Sequence, residues 1–391
     1  MNLSSIDQKI QKEFFDSKKL VGANFALHID GSEFHFSKFG FQNREKEILM
    51  DRSTLFQIHS MTKPIVSFGF MILVDRGLIS LEDKISEFIP KMANMNVLQE
   101  IFPGDLNTIP AINEITILDL LRHTSGFTYS FMENNSIDQF YRDNTIGSFH
   151  KSLESLINIL SETPLLFEPG TKWNYSVSTD VLGFIIQKIT NKTLGEFLDE
   201  EIFQKLDMTD TSFHLDKSNY SRIASMYDFN AKGEPILDQK YNSDPLQLNP
   251  NFNSGGGGLI SSVDDYLKFA NMILYRGNYR NHHFISDNTF SLISQSHTSH
   301  LPKFEKTDMG SLGIINLTGY EFGLGFSILT DPEKSQNLGS KGELAWVGKG
   351  STFFWVDPSK NMTVAFFSQL TPFTSYDLWH KLRNIVYSSF E

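Results

Sequence analysis

Residues 59–77, HSMTKPIVSFGFMILVDRG, decide how the rest of the chain is read. Ile65, Phe68, Met71 and Ile72 recur at helical spacing, and Gly77 stands where a helix C-cap is expected. Pro64 is tolerated if the helix begins at about Ser60, because first-turn N–H groups have no intrahelical partner. Ser60 and Lys63 sit three residues apart at the head of this apolar run. A lysine so close to a core is costly unless something neutralises or uses it.

A Ser-x-x-Lys pair on a helix gives that lysine a use. Side chains at i and i+3 share a face. A serine hydroxyl is a weak nucleophile and needs an adjacent base. A lysine desolvated by apolar neighbours has its pKa lowered and can accept the hydroxyl proton. The same spacing recurs at Ser148 and Lys151, but that copy follows the polar run YRDNTIG and opens no apolar helix. The competing reading of Ser60 is a helix cap followed by a surface lysine.

Two further stretches carry candidate chemistry. In EPGTKWNYSVSTDVLG, Tyr175 lies in a loop just before a helix expected over Ser178–Thr190. Near a lysine ammonium its phenol would have a lowered pKa and could act as a general base. In LAWVGKGSTFFWVDP, Trp346, Val347 and Gly348 lead into a strand, where a backbone N–H can face a developing oxyanion. Gly342, Gly348 and Lys349 imitate a phosphate-binding loop, but five residues separate the glycines and Gly350 follows the lysine. Residues 251–258 read as a glycine-rich tight turn headed by Asn251, because Gly255–Gly258 are preceded by NPNFNS and not by a strand. There is no G-x-S-x-G elbow and no H-E-x-x-H. His282, His283, His297 and His300 fall in polar loops and read as solvated.

The remaining pattern places strands at both ends and helices between. NFALHIDGSEFHFSKFGF reads as a β-hairpin turning at Asp30-Gly31. Helices are expected at 116–123 and 146–161, and again in SSVDDYLKFANMIL with Ser261 or Ser262 as cap. Strands are expected at 321–329, 352–356 and Met362–Ser368, then a last helix with Leu378, Leu382, Ile385 and Val386 on one face. The fold class is therefore α+β: one antiparallel sheet built from both chain ends, flanked by helices. Residues 1–85 and 260–391 form the α/β part of a single catalytic unit, and 86–259 a mostly helical insertion.

Composition narrows the function. The 391 residues carry 34 Lys+Arg against 46 Asp+Glu, a net charge of -12 that argues against a nucleic-acid partner. With no cysteine, thiolate metal sites and a cysteine nucleophile are excluded. The opening MNLSSIDQKIQKEFF lacks the apolar core of a signal peptide, and no stretch is long enough to span a bilayer. A cytoplasmic location is the expectation, or a periplasmic or secreted one if a leader has been removed.

Five blocks carry a family resemblance: HSMTKPIVSFGFMILVDRGLISLEDKISEFIP, LLRHTSGFTYSF, FEPGTKWNYSVSTDVLG, NSGGGGLISSVDDYLKFANMIL and AWVGKGSTFFWVDP. In that order the chain resembles the serine β-lactamase/penicillin-binding-protein superfamily, in its class C-like branch, near the family VIII carboxylesterases. The Ser148 copy falls outside all five. The resemblance implies a β-lactamase/transpeptidase-like fold, with no metal and no cofactor. It implies Ser60 as the acylated nucleophile, Lys63 as its proton partner, and Tyr175 as the base for serine and later for water. The backbone N–H groups of Ser60 and Lys349 would form the oxyanion hole, and Tyr129 would border the acyl pocket.

Two departures from the family pattern shift the expected substrate. Val177 stands where a Tyr-x-Asn motif has asparagine, and Trp346 stands where β-lactamases have a lysine or histidine. Both changes remove polar groups that would hold an antibiotic. Val177, Trp346, Val347 and Gly348 then suit a small neutral ester, and the expectation is a carboxylesterase with at most weak β-lactam hydrolysis. The alternatives are a β-lactamase, a D-Ala-D-Ala carboxypeptidase or D-aminopeptidase, an acyltransferase, or a ligand-binding homologue without turnover. The substrate class is a small-molecule ester or amide.

Overall fold

The computed structural model describes residues 3–99, 107–132, 136–144, 146, 152–243, 252–335 and 337–390. Its centre is an eight-stranded antiparallel sheet. β1 (Gly22–Ile29), β2 (Ser32–Asn43) and β3 (Ile48–Leu49) come from the N-terminal end. β4 (Tyr320–Phe322), β5 (Ser327–Leu329), β6 (Leu344–Gly348), β7 (Thr352–Asp357) and β8 (Met362–Ser368) come from the C-terminal end. The order is β4-β5-β6-β7-β8-β1-β2-β3, so β1 pairs with β8 and joins the two ends of the chain. The expected sheet from both termini is present.

The β1–β2 hairpin turns at Asp30 and Gly31, with φ of 48° and 69°. Positive φ at both central residues is the backbone that matches the twist of the flanking strands. The expected single strand at 321–329 is instead a hairpin. Gly323 donates its N–H to Phe326 O at 2.8 Å and closes a turn between β4 and β5. An alternating apolar pattern alone does not reveal such a reversal.

β7 and β8 are buried on both faces, so their apolar residues run without alternation. One face meets α5 (Val263–Leu274), whose Tyr266 ring makes edge contacts with Phe354 and Phe367. The other face meets α6 (Leu378–Tyr387), where Trp379 packs on Phe353 and Trp355. Leu378, Leu382 and Val386 of α6 are buried, as their spacing predicts. Arg383 forks onto the Glu343 carboxylate just before β6, and both side chains are fully buried.

α1 (Leu3–Ile10) packs beside α6, and the helices that carry the site are α2 (Thr62–Asp75), α3 (Ile117–Leu121) and α4 (Ser178–Thr190). α2 packs on α4, and α4 also covers α3. α3 begins at a Thr116 cap, inside the expected 116–123. α5 is capped by the Ser262 side chain, which accepts from Asp265 N. The helix expected over 146–161 is shorter and spans Leu153–Leu160. Ser152 and Ser155 form a reciprocal cap that fixes its start, while Ile146 lies in a turn. Ser148 and Lys151 lie outside the described residues, as does Asn251 at the head of the glycine-rich turn.

Candidate active site

The segment before α2 is clamped from three sides. Phe56–Gln57 pair with Ile260–Ser261, and the chain then enters a 3-10 turn, His59–Met61, that runs into α2. Ser60 therefore sits in the tight turn just before the α-helix rather than in the helix itself. Tyr266 of α5 donates its hydroxyl to Met61 O at 2.8 Å, and Leu259 N donates to Thr62 Oγ1 at 3.1 Å. Gly348, the last residue of β6, closes the third side: a Cβ there would lie 2.4 Å from Ile58 O. His59 takes φ +44°, a left-handed backbone that is unusual for a residue with a side chain. Non-glycine residues held in this region cluster at functional sites. Burial, with the Lys349 and Lys63 charges, pulls the His59 imidazole down to about 3, so it stays neutral.

Lys63 follows one turn later and is 2% exposed. Its Nζ donates to Gly256 O at 2.6 Å and lies 3.4 Å from Ser60 Oγ. It also stands over the rings of Tyr175 and Tyr129, 4.6 and 5.1 Å from their centroids. Burial lowers the ammonium to about 7, against the opposing pull of Asp180. An ammonium lowered in this way gives up its proton more readily near neutral pH, which leaves a lone pair within reach of the serine hydroxyl.

Tyr175 completes the cluster. Its phenol is buried and makes no well-formed hydrogen bond, and the Ser60 hydroxyl and the Trp346 indole are the side-chain donors and acceptors that face it. The expectation that the lysine lowers this phenol is reversed. Burial pushes Tyr175 up, Asp180 adds to the rise, and the contacts with Ser60 and Trp346 offset only part of it. A neutral phenol can still donate and relay a proton without being a standing phenolate.

Ser60, Tyr175, Trp346, Val347 and Lys349 line one pocket. Its other walls are apolar: Trp173, Phe373 and the side chains of Met309, Leu312, Ile315 and Leu317. No group of acidic and histidine side chains able to hold a metal occurs among the described residues. No described helix is long and apolar enough to cross a membrane.

A family model described as Beta-lactamase matches residues 7–386. The chain belongs to the Beta-lactamase family. This Beta-lactamase family chain is 32% identical over 380 residues to Protein Rv1367c of Mycobacterium tuberculosis (strain ATCC 25618 / H37Rv), covering 96% of this chain and 92% of that one. It is 26% identical over 369 residues to Esterase EstB of Burkholderia gladioli, covering 89% and 85%. Among solved structures, EstCE1, "a hydrolase with promiscuous acyltransferase activity", superposes with a TM-score of 0.80 at 22% identity, covering 98% of this chain and 99% of that chain. That likeness shows the fold, which is the β-lactamase/transpeptidase-like one expected from the sequence.

Within this family fold, the residues singled out from the sequence take different places. Ser60, Lys63 and Tyr175 meet at the pocket. Trp346 and Val347 line it, and Lys349 does so beside them. Gly348 instead supplies the close approach to Ile58 described above. Tyr129 is stacked on Phe131, with its ring beneath Lys63. Val177 is fully buried in the core at the entry to α4, outside the pocket lining, so its apolar character serves packing.

Three participants were not read from the sequence. The Gly255–Gly258 run is more than a turn. Gly256 accepts from Lys63 through its carbonyl and donates its N–H to Asp180 Oδ1 at 3.0 Å. A Cβ on Gly256 would lie 2.5 Å from Asp180 Oδ2 and 2.7 Å from Tyr129 OH, so any side chain there would have to displace one of them. Asp180, in the first turn of α4, also accepts from Ser254 Oγ at 2.6 Å. It thereby fixes the peptide that holds Lys63. His123 lies behind Tyr175, ring centroids 5.0 Å apart, and its Nδ1 meets Ser176 Oγ at 3.2 Å. The run of four glycines was the one local sign of close backbone approach; Asp180 and His123 reach the site only through tertiary folding.

A serine–histidine–aspartate group lies away from this pocket, at Ser37, His35 and Asp7. There a single imidazole nitrogen, Nε2, faces both Ser37 Oγ at 2.9 Å and Asp7 Oδ1 at 2.8 Å. A proton relay needs the two ring nitrogens to face opposite partners. This cluster is a part-buried hydrogen-bond network between β2 and the N-terminal helix Leu3–Ile10.

Proposed function

We propose that the chain is a serine carboxylesterase that works through an acyl-enzyme on Ser60. The observation that carries this reading is Lys63: a buried amine lowered to about 7, 3.4 Å from a serine hydroxyl at the mouth of an apolar pocket. Neutral Lys63 takes the Ser60 proton as the oxygen attacks the ester carbonyl. The backbone N–H groups of Ser60 and Lys349 are assigned to the carbonyl oxygen as it becomes negative. Tyr175, kept as a neutral phenol, relays a proton from Lys63 to the departing alcohol oxygen. In the second half, the same pair takes a proton from water, which attacks the acyl carbonyl; the bond from that carbon to Ser60 Oγ then breaks, the proton passes to Ser60 Oγ, and the acid leaves. The apolar walls and the neutral Trp346 indole favour a plain ester over a substrate with a carboxylate, since an unpaired buried charge is costly. The name of the relative EstB supports the ester reading.

The pH dependence tests the lysine's part. Only the neutral amine can accept the serine proton, so kcat/KM for nitrophenyl acetate should rise about tenfold per pH unit on the acid side. It should level off above an apparent pKa near 7. A profile that is flat from about pH 5 to 9, after correction for spontaneous hydrolysis, would contradict Lys63 as the proton acceptor.

A further inference from the structure

Residues 306–316 form a small hairpin that belongs to neither the main sheet nor the helices carrying the nucleophile. Lys306–Asp308 pair with Ile314–Asn316, with Thr307 opposite Ile315 and Asp308 opposite Ile314. Side chains alternate across it. Ile314 points to solvent and is 63% exposed, whereas Ile315, Leu312 and Met309 face the pocket that holds Ser60.

The tip of this hairpin is fixed at two points. Ser311 donates its N–H to Phe131 O at 3.1 Å, and Thr374 donates its hydroxyl to Leu312 O at 2.5 Å. Gly310 has φ +55°, and a Cβ on it would lie 1.9 Å from Phe131 O. The hairpin therefore rests directly on the backbone of the segment that carries Tyr129, whose ring stacks on Phe131 with centroids 4.6 Å apart. At its base, Phe304 stacks on Trp173, centroids 4.3 Å apart. A wall anchored at its tip and at its base does not yield readily to a longer ligand.

We infer that this hairpin is the wall that sets how long a hydrocarbon group of the ester can be, with Leu312 and Ile315 as the residues that stop it. The inference rests on Ser60 as the nucleophile of the proposed esterase. The wall is apolar, so each methylene accepted ahead of it raises kcat/KM by about fourfold. A methylene that collides with it costs about tenfold or more. The hydrocarbon can be carried by the acid or by the alcohol half of the ester.

The test is kcat/KM across two series, nitrophenyl esters of straight-chain acids and acetates of straight-chain alcohols. In one series the wild-type protein should show a rise with length, then a sharp fall. Leu312→Ala should move that turning point to longer chains, raising the first excluded ester by about tenfold. Leu312→Trp should move it to shorter chains. Ile314→Ser, on the outward face, should leave the profile unchanged. The series that responds identifies the half of the ester held in the pocket. If neither series shows a turning point, or if it stays in place in both Leu312 variants, the inference is overturned. Each protein is also compared with its Ser60→Ala counterpart on the shortest ester. Hydrolysis that survives there overturns the nucleophile itself, whereas loss there with an unmoved turning point overturns the wall alone.

Discussion

Replacing Ser60 with alanine should reduce turnover of nitrophenyl acetate by about 10⁵-fold, to a residue set by binding and the oxyanion donors alone. The reason is chemical rather than structural. Alanine removes the only atom that would become bonded to the acyl carbon, while leaving the surrounding turn unchanged. That turn is held by the Tyr266 bond to Met61 O, the Leu259 bond to Thr62 and the contact of Gly348 with Ile58. None of these uses the Ser60 side chain. The variant should therefore match wild type in circular dichroism and melting temperature. Steady-state hydrolysis under excess ester is the measurement, and activity within about tenfold of wild type would place the nucleophile elsewhere.

The second large effect is expected at Lys63. Lys63→Met keeps the length of the side chain and its apolar stem but removes the amine. Loss of a general base lowers the rate by about 10²–10⁴-fold. The effect on stability should be small, because two terms oppose each other. Methionine no longer desolvates an amine inside the core. Against that, Gly256 O loses its 2.6 Å donor and is left with a buried, weakened hydrogen-bond position. Acylation measured by single-turnover kinetics separates the chemical step from binding: the acylation rate should fall while the ester's dissociation constant, read from the concentration dependence of that rate, changes little. Acylation as fast as that of wild type would show that Lys63 only packs the helix.

Much of the fold was legible because it rests on local signals. The Asp30-Gly31 turn, the apolar face of α6 and the cap of α5 each need only a short window of sequence. The break in the 321–329 strand was hidden because Phe322, Leu324, Phe326 and Ile328 alternate straight through it, and the reversal shows only in the antiparallel pairing of Tyr320 with Leu329 and Phe322 with Ser327. In the site, Ser60 and Lys63 were legible because residues three apart meet across the tight turn that opens α2, as they would within the helix itself. Tyr175 was legible in place but not in protonation. Its pKa is decided by how deeply tertiary packing buries it, with the Asp180 charge acting in the same direction. Asp180, Gly256 and His123 are separated from Ser60 by more than sixty residues each, and no spacing rule connects them. Val177, matched to a binding motif from the sequence, lies fully buried at the entry to α4, a depth that local pattern does not reveal.

The most direct test of Ser60 as an acylated nucleophile is covalent trapping. The protein is incubated with a fluorophosphonate, digested, and the modified peptide sequenced by mass spectrometry. The account predicts a single stoichiometric adduct on Ser60, formed more slowly below pH 7 as Lys63 becomes protonated, and abolished in Ser60→Ala. An adduct on another serine that tracks the loss of esterase activity, or full inhibition with Ser60 unmodified, would contradict it.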